Sequence, residues 1–193
     1  MLIDKYLPEY QFLADYSTEI DAPIERVYPI VRKMDLRNAP LLRLIFWLRS
    51  IPGKLAGRSP LGPTLEVLER AGMRVLEEAP PAELLMGFVG KIWTPTGGIQ
   101  KVSSADFRDF SDPDVAKVVW NFSLESLQGG GTRLTTETRV QCLGLQSQKK
   151  LRRYAFFIRP ISGLTRKSAL RAIKQQAESQ PLDADRDLRE PSR

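Results

Sequence analysis

The sequence predicts an α+β domain in which a curved, seven-stranded antiparallel sheet wraps on one long C-terminal helix, with two short helices between strands 1 and 2. Three observations lead to this fold class. A strand pattern of period two comes first. Short strand-like runs separated by turn residues such as Gly129-Gly130-Gly131 then favour antiparallel pairing. A helical stripe of apolar residues comes last and is long enough to cross the sheet.

The first strand and the two short helices follow from local patterns. Apolar and polar residues alternate over Gln11–Asp21, which indicates a half-buried strand. Apolar residues then recur at helical spacing over Ile24–Met34, where Pro29 predicts a kink or an early end. The second helix is predicted over Leu41–Ser50, and a Gly- and Pro-rich loop follows it.

The remaining strands are predicted in meander order, each ended by Gly, Pro or Asp turns. They are Thr64–Arg70, Met73–Glu78, Glu83–Trp93, Lys101–Phe110, Val115–Leu127 and Thr132–Leu143. The long helix is predicted from Ser147 to about Glu178, with a kink at Pro160 and Gly163.

The 193 residues divide into an irregular arm (1–10), one domain (11–179) and a disordered polar tail (180–193). There is no histidine and only one cysteine, Cys142, which we expect to be buried and inert. These counts exclude His-based catalysis and the usual zinc sites, so we expect neither metal nor cofactor. No signal peptide and no apolar run of about 20 residues is visible, which predicts a cytoplasmic protein.

Four stretches carry a resemblance to a known superfamily. Thr18–Val27 looks like an opening strand and the start of the first helix, Glu83–Trp93 and Gly131–Val140 look like sheet segments, and Ile158–Arg166 with Tyr154 looks like the last helix. In these stretches the chain resembles the START-like superfamily, also called the polyketide cyclase/dehydrase or SRPBCC superfamily, and within it an uncharacterised bacterial branch. The resemblance implies a helix-grip fold with a ligand cavity between sheet and helix. It does not imply one activity, because binders, transporters and cyclases share this scaffold.

The predicted cavity wall combines apolar side chains with a few hydroxyls, as small-molecule sites usually do. The same pattern also fits a filled core, and within Glu83–Trp93 it leaves open which face turns inward. With the resemblance, we expect a cavity for a hydrophobic small molecule or lipid and no catalytic residue. The cavity candidates are Tyr16, Thr18, Met86, Phe88, Phe107, Val118, Trp120, Phe122, Thr136, Tyr154, Phe157 and Ile158.

Other functional hypotheses stay open. The helix Leu41–Ser50 has little polar face, so it is either buried or forms a portal to the cavity or a membrane-touching patch. The portal residues would be Leu44, Phe46, Trp47 and Leu48. A cyclase- or hydrolase-like enzyme would use a polar pair such as Tyr16 and Arg108, and its cavity would hold an ionisable group with a perturbed pKa.

Charge is concentrated on the last helix, although the whole chain carries +6. We expect a solvated basic face there, able to make transient contact with an anionic membrane, and the lack of a recognised motif disfavours nucleic acid. Glu137 and Arg139 are expected to form a surface ion pair. No oligomeric state is indicated. The basic residues are Lys149, Lys150, Arg152, Arg153, Arg159, Arg166, Lys167, Arg171 and Lys174.

Overall fold

The structure is a computed structural model that describes residues 1–33, 69, 72–94 and 97–179. In chain order, two short helices flank the first strand, four further strands follow, and one long helix comes last. The elements are α1 (Leu2–Tyr6), β1 (Phe12–Ile20), α2 (Ile24–Lys33), β2 (Arg74–Ala79), β3 (Glu83–Gly90), β4 (Ala116–Ser126), β5 (Thr132–Cys142) and α3 (Leu145–Ser179).

The strands form one antiparallel sheet in the order β1-β5-β4-β3-β2. Its cross-strand register is continuous through four strands: Tyr16 lies opposite Thr136, Thr136 opposite Phe122, and Phe122 opposite Leu84. Because side chains alternate along each strand, the register separates two faces. We call the face that packs against α3 the helix face, and the opposite one the outer face.

Helix α1 packs on the outer face, where the sequence predicted only an irregular arm. Ile3 and Leu7 are buried against Leu85, Val119 and Phe107. Apolar residues on both faces of β3 and β4 are therefore buried by other elements. A single C-terminal helix covers only one face, so the outer face needs a second layer.

The charged side chain of Arg139 links α1 to the sheet. Arg139 contacts Asp4 at 2.8 Å and Glu137 at 2.6 Å, and it donates to the carbonyl of Leu7 at 3.1 Å. Arg139 is only 9% exposed, so the Glu137–Arg139 pair is not the surface pair that the sequence predicted. Its guanidinium holds the pKa of Asp4 below its usual range, chiefly through their hydrogen bond.

The described residues contain five strands instead of the predicted seven. Of the two others, Lys101–Phe110 forms turns, and Thr64–Arg70 lies outside the described residues except for Glu69. The turns are explained by Ser103, whose hydroxyl accepts from the amide of Asp106 at 3.1 Å while its carbonyl accepts from the amide of Phe107 at 3.1 Å. Such local hydrogen bonds compete with strand pairing.

The three predicted helices differ in outcome. The first is α2, which continues past Pro29 to Lys33, so the early end that proline allowed does not occur. The second, Leu41–Ser50, lies outside the described residues, as does the predicted tail. The last is α3, one helix from Leu145 to Ser179. Within the described ranges, none of the helices combines the length and the apolar character that crossing a bilayer requires.

The packing of α1 leads to a stability prediction. Ile3→Ala removes a fully buried side chain from the outer face, which is expected to lower the free energy of unfolding by about 2–4 kcal/mol. Leu145→Ala is the control, because that side chain is 76% exposed. Urea denaturation measures both variants. Equal stability of Ile3→Ala and Leu145→Ala would show that α1 does not stabilise the sheet.

Candidate ligand site between the sheet and the C-terminal helix

The register of the sheet lines up three rows of side chains on the helix face. Aromatic, aliphatic and threonine side chains alternate within them, so the face is apolar with a few hydroxyl groups. The rows are Phe12, Val140, Val118 and Phe88; then Ala14, Thr138, Trp120 and Met86; then Tyr16, Thr136, Phe122 and Leu84.

Both ends of the helix face are closed by packed residues. At one end Phe12, Val140 and Cys142 pack with Leu151 of α3. At the other end Ile20 and Leu134 lie in a buried core with side chains from α2 and from the last turns of α3. The side chains that α2 and α3 contribute to this core include Val27, Val31, Leu170, Ile173 and Ala177.

Several large side chains on the helix face keep accessible surface. Trp120 is half-buried in the middle of the inner strand β4, and Phe88 is half-buried on the neighbouring strand β3. Ala14 and Tyr16 are half-buried on β1. Trp120, Phe88 and Tyr16 therefore present accessible aromatic surface on the helix face.

The Trp120 side chain is held in place by a polar contact and an aromatic contact. Its indole Nε1 donates to the Thr136 hydroxyl at 2.6 Å, and its ring lies 4.9 Å from that of Phe122 in a tilted arrangement. A buried tryptophan usually needs such a partner for its N–H. Because both neighbours are themselves buried, the exposed part of the indole is presented in a fixed orientation.

Tyr16 fills the space between β1 and α3. A Cβ atom added at Gly163 would lie 2.7 Å from the Tyr16 hydroxyl oxygen, so the helix backbone and the phenol are in direct contact. The ammonium of Lys167 lies 5.7 Å from the centre of the Tyr16 ring. Only glycine allows α3 to approach this closely.

Arg166 follows on the same side of α3, although the sequence placed it on the solvated basic face. Its Nη1 donates to the carbonyl oxygen of Ser162 at 3.3 Å and also to the Ser162 hydroxyl. Its Nε is buried and has no hydrogen-bond partner. Burial lowers the pKa of Arg166, and the nearby Tyr16 opposes this shift.

The other basic residues of α3 agree better with the sequence prediction of a solvated basic face. Lys174 is half-buried, donates to the carbonyl of Glu19 at 2.7 Å and pairs with Glu178 at 3.5 Å. Membrane contact by the exposed basic face stays a prediction. The exposed members are Lys149, Lys150, Arg152, Arg153, Arg159, Lys167 and Arg171.

The structure brings together most of the residues that the sequence assigned to the cavity. It also decides the face of β3, since Met86 and Phe88 lie on the helix face while Leu85 lies on the outer face. From α3, Tyr154 is half-buried against the cluster of Phe12 and Leu151. The assigned residues on the helix face are Tyr16, Thr18, Met86, Phe88, Val118, Trp120, Phe122 and Thr136.

Phe107 does not belong with these residues. It is buried on the outer face, where its ring touches the position that a Cβ of Gly87 would take, at 3.2 Å. The error follows from treating Lys101–Phe110 as a strand of the sheet. The side chains of Phe157 and Ile158, and the predicted portal residues Leu44, Phe46, Trp47 and Leu48, lie outside the described residues.

The polar pair proposed for an enzyme is not brought together either. Tyr16 lies on the helix face, whereas the guanidinium of Arg108 lies 5.9 Å from the ring of Tyr6 beside the outer face. Sequence reasoning missed Arg166 instead. Helical spacing carried the signal, because Arg166 follows Gly163 by three residues and precedes the buried Leu170 by four.

Threonine hydroxyls and the lone thiol complete the chemistry of the helix face. The hydroxyl of Thr138, beside Trp120 in the middle row, is buried without a hydrogen-bond partner. Cys142 is buried, and its burial raises the pKa of the thiol to about 11, against a smaller opposing effect of Ser147. The thiol is therefore not a nucleophile at neutral pH. Among the described residues, no group of three metal-ligating side chains is assembled.

Comparisons with known proteins give similarity to solved structures only. No protein-family model and no curated protein matches the chain. A conserved protein from Geobacillus kaustophilus is 12% identical, with a TM-score of 0.44, and the match covers 86% of this chain and 95% of that one. The Zhui aromatase/cyclase from Streptomyces sp. R1128 is 12% identical, with a TM-score of 0.38 and coverage of 90% and 97%.

A protein from Arthrobacter aurescens gives a similar match, with 12% identity, a TM-score of 0.41 and coverage of 93% of both chains. Because all three TM-scores lie below 0.5, these matches carry no argument about family, ligand or activity.

The contact between Tyr16 and Gly163 can be tested with a double-mutant cycle. Gly163→Ala is expected to cost about 1–3 kcal/mol of stability, because its methyl group overlaps the Tyr16 hydroxyl. In a Tyr16→Phe background the same change should instead stabilise by up to about 1 kcal/mol through helix propensity. Thermal and urea unfolding of the four proteins measure the coupling. Additive effects would refute the contact.

Proposed function

We propose that the protein binds a hydrophobic small molecule or lipid between the helix face and α3. The observation that carries this proposal is the half-buried Trp120, an aromatic side chain that lies on the helix face of an inner strand of the sheet. Its neighbours Phe122 and Met86 are fully buried. An accessible aromatic side chain held in a fixed orientation is typical of small-molecule sites, which are lined mainly by apolar and aromatic side chains.

The chemistry of the site supports an apolar ligand. Phe88, Trp120 and Tyr16 offer aromatic surface, and the gain from covering apolar surface is about 25 cal/mol per Å². The polar groups are few. The hydroxyl of Thr136 already accepts from Trp120, while that of Thr138 is unpartnered and provides one hydrogen-bonding group for orientation.

A cyclase- or hydrolase-like enzyme is the second candidate, and Arg166 is the observation that favours it. Arg166 meets the expectation of a buried ionisable group with a perturbed pKa. However, a guanidinium keeps its proton and cannot act as a general base. Glu78, at the edge of the helix face, already accepts hydrogen bonds from Tyr28 and Arg32, both at 3.0 Å. Binding is therefore the better supported function.

Filling the site should abolish binding without unfolding the protein. Ala14→Phe adds a ring to the middle row of the helix face, whereas Ser17→Phe adds the same ring to the exposed opposite face of β1. Nile red, a neutral apolar dye, serves as the probe. Fluorescence titration should show at least tenfold weaker binding to Ala14→Phe and a change of less than twofold for Ser17→Phe.

Circular dichroism provides the folding control for both variants. Should folded Ala14→Phe bind the dye as tightly as the original protein, the dye would occupy another surface and the proposed site would be wrong. No saturable binding of the dye to the original protein would contradict the proposed function itself.

A further inference from the structure

Arg166 is a partly desolvated cation, and few interactions within the domain offset the cost of that desolvation. It lies on the apolar side of α3, between Gly163, which touches Tyr16, and the buried pair Ala169 and Leu170. The interaction that opposes its desolvation comes from Tyr16 and not from a carboxylate side chain. Burying a cation without a counter-ion is costly, so an anionic group brought by a ligand would stabilise it.

The hydrogen bonds of the guanidinium are only partly used. Nη1 is engaged by the carbonyl and the hydroxyl of Ser162, one turn earlier in α3. Nε has no partner. The Nε side of a guanidinium, with the adjacent Nη2, presents two parallel N–H groups, which match the two oxygens of a carboxylate. Ser162 therefore binds the Nη1 side of the guanidinium. The side formed by Nε and Nη2 stays free for a bidentate contact.

Acidic residues in the described part of the chain do not fill this role. On α3 itself, Glu178 is engaged by Lys174 at 3.5 Å and by the amide of Asp21 at 2.9 Å. At the edge of the helix face, Glu78 pairs with Arg32 at 2.9 Å. Within the described ranges, no ion pair involves Arg166. The missing counter-ion is therefore expected to come with the ligand.

We propose that Arg166 binds the carboxylate of the ligand, and that the ligand is an apolar carboxylic acid whose hydrocarbon part lies against Trp120 and Phe88. This inference rests on the proposed function and makes it specific. The half-buried side chain of Arg166 keeps part of its surface accessible. Ion pairing near an apolar wall selects an amphipathic acid over a neutral hydrocarbon of the same shape.

The test compares ligands that differ only in their polar group. Two pairs serve as probes, namely dodecanoate with dodecanol and 2-naphthoate with 2-naphthalenemethanol. Isothermal titration calorimetry of the full-length protein should show at least tenfold tighter binding of the acid in one or both pairs. Arg166→Gln should remove that preference and leave the alcohol affinity within about threefold. Arg166→Lys should keep part of the preference, because it retains the charge.

A matched control separates local recognition from the general positive charge of α3. Arg171→Gln removes an exposed cation one turn further along the helix, and it should change neither affinity. Equal binding of acid and alcohol by the original protein, or an unchanged preference in Arg166→Gln, would overturn the role of Arg166 while leaving the proposed function intact. Failure of all four probes to bind would overturn both.

A stability measurement excludes a purely structural role for Arg166. If the guanidinium mainly serves the ligand, Arg166→Met should unfold at a temperature equal to or about 3 °C above that of the ligand-free original protein. Addition of dodecanoate should raise the unfolding temperature of the original protein only. A clear loss of stability in both Arg166→Met and Arg166→Gln would show that Arg166 supports the fold instead.

Discussion

The register between β1, β5, β4 and β3 is the constraint on which the rest of the structure depends. It places Tyr16, Thr136 and Phe122 in one row across the sheet, and Trp120 in the next. A slip by one residue would turn every one of these side chains to the other face. Since α3 covers only the helix face, the register also decides which residues any ligand meets.

The approach of α3 to the sheet is then set by a few contacts along its length. Leu151 closes one end and Leu170 lies in the closed core at the other, while at Gly163 the helix rests directly on Tyr16. The outer face behaves differently. There α1 and Phe107 complete a buried core.

Much of the architecture was readable from the sequence, because period-two and helical patterns report which side of each element is buried. The predicted strand positions on β1, β3, β4 and β5 reached the helix face for that reason. The predictions fail where local hydrogen bonds or the position on a helix matter more than the apolar pattern or the charge. Hydrogen bonds to Ser103 stabilise turns in a run that has the pattern of a strand. Phe107, which lies in these turns, packs on the outer face. Arg166 was grouped by charge with its exposed neighbours, although its spacing from Gly163 places it on the apolar side of α3.

The proposed ligand of this domain is an apolar compound with an acidic group, bound between the sheet and α3. The most direct measurement is native mass spectrometry of the protein purified from its own host, followed by release of the bound compound and determination of its accurate mass. We expect one bound molecule per chain, with the composition of an apolar carboxylic acid. A protein recovered free of any small molecule, or bound to a neutral compound that carries no acidic group, would contradict the account.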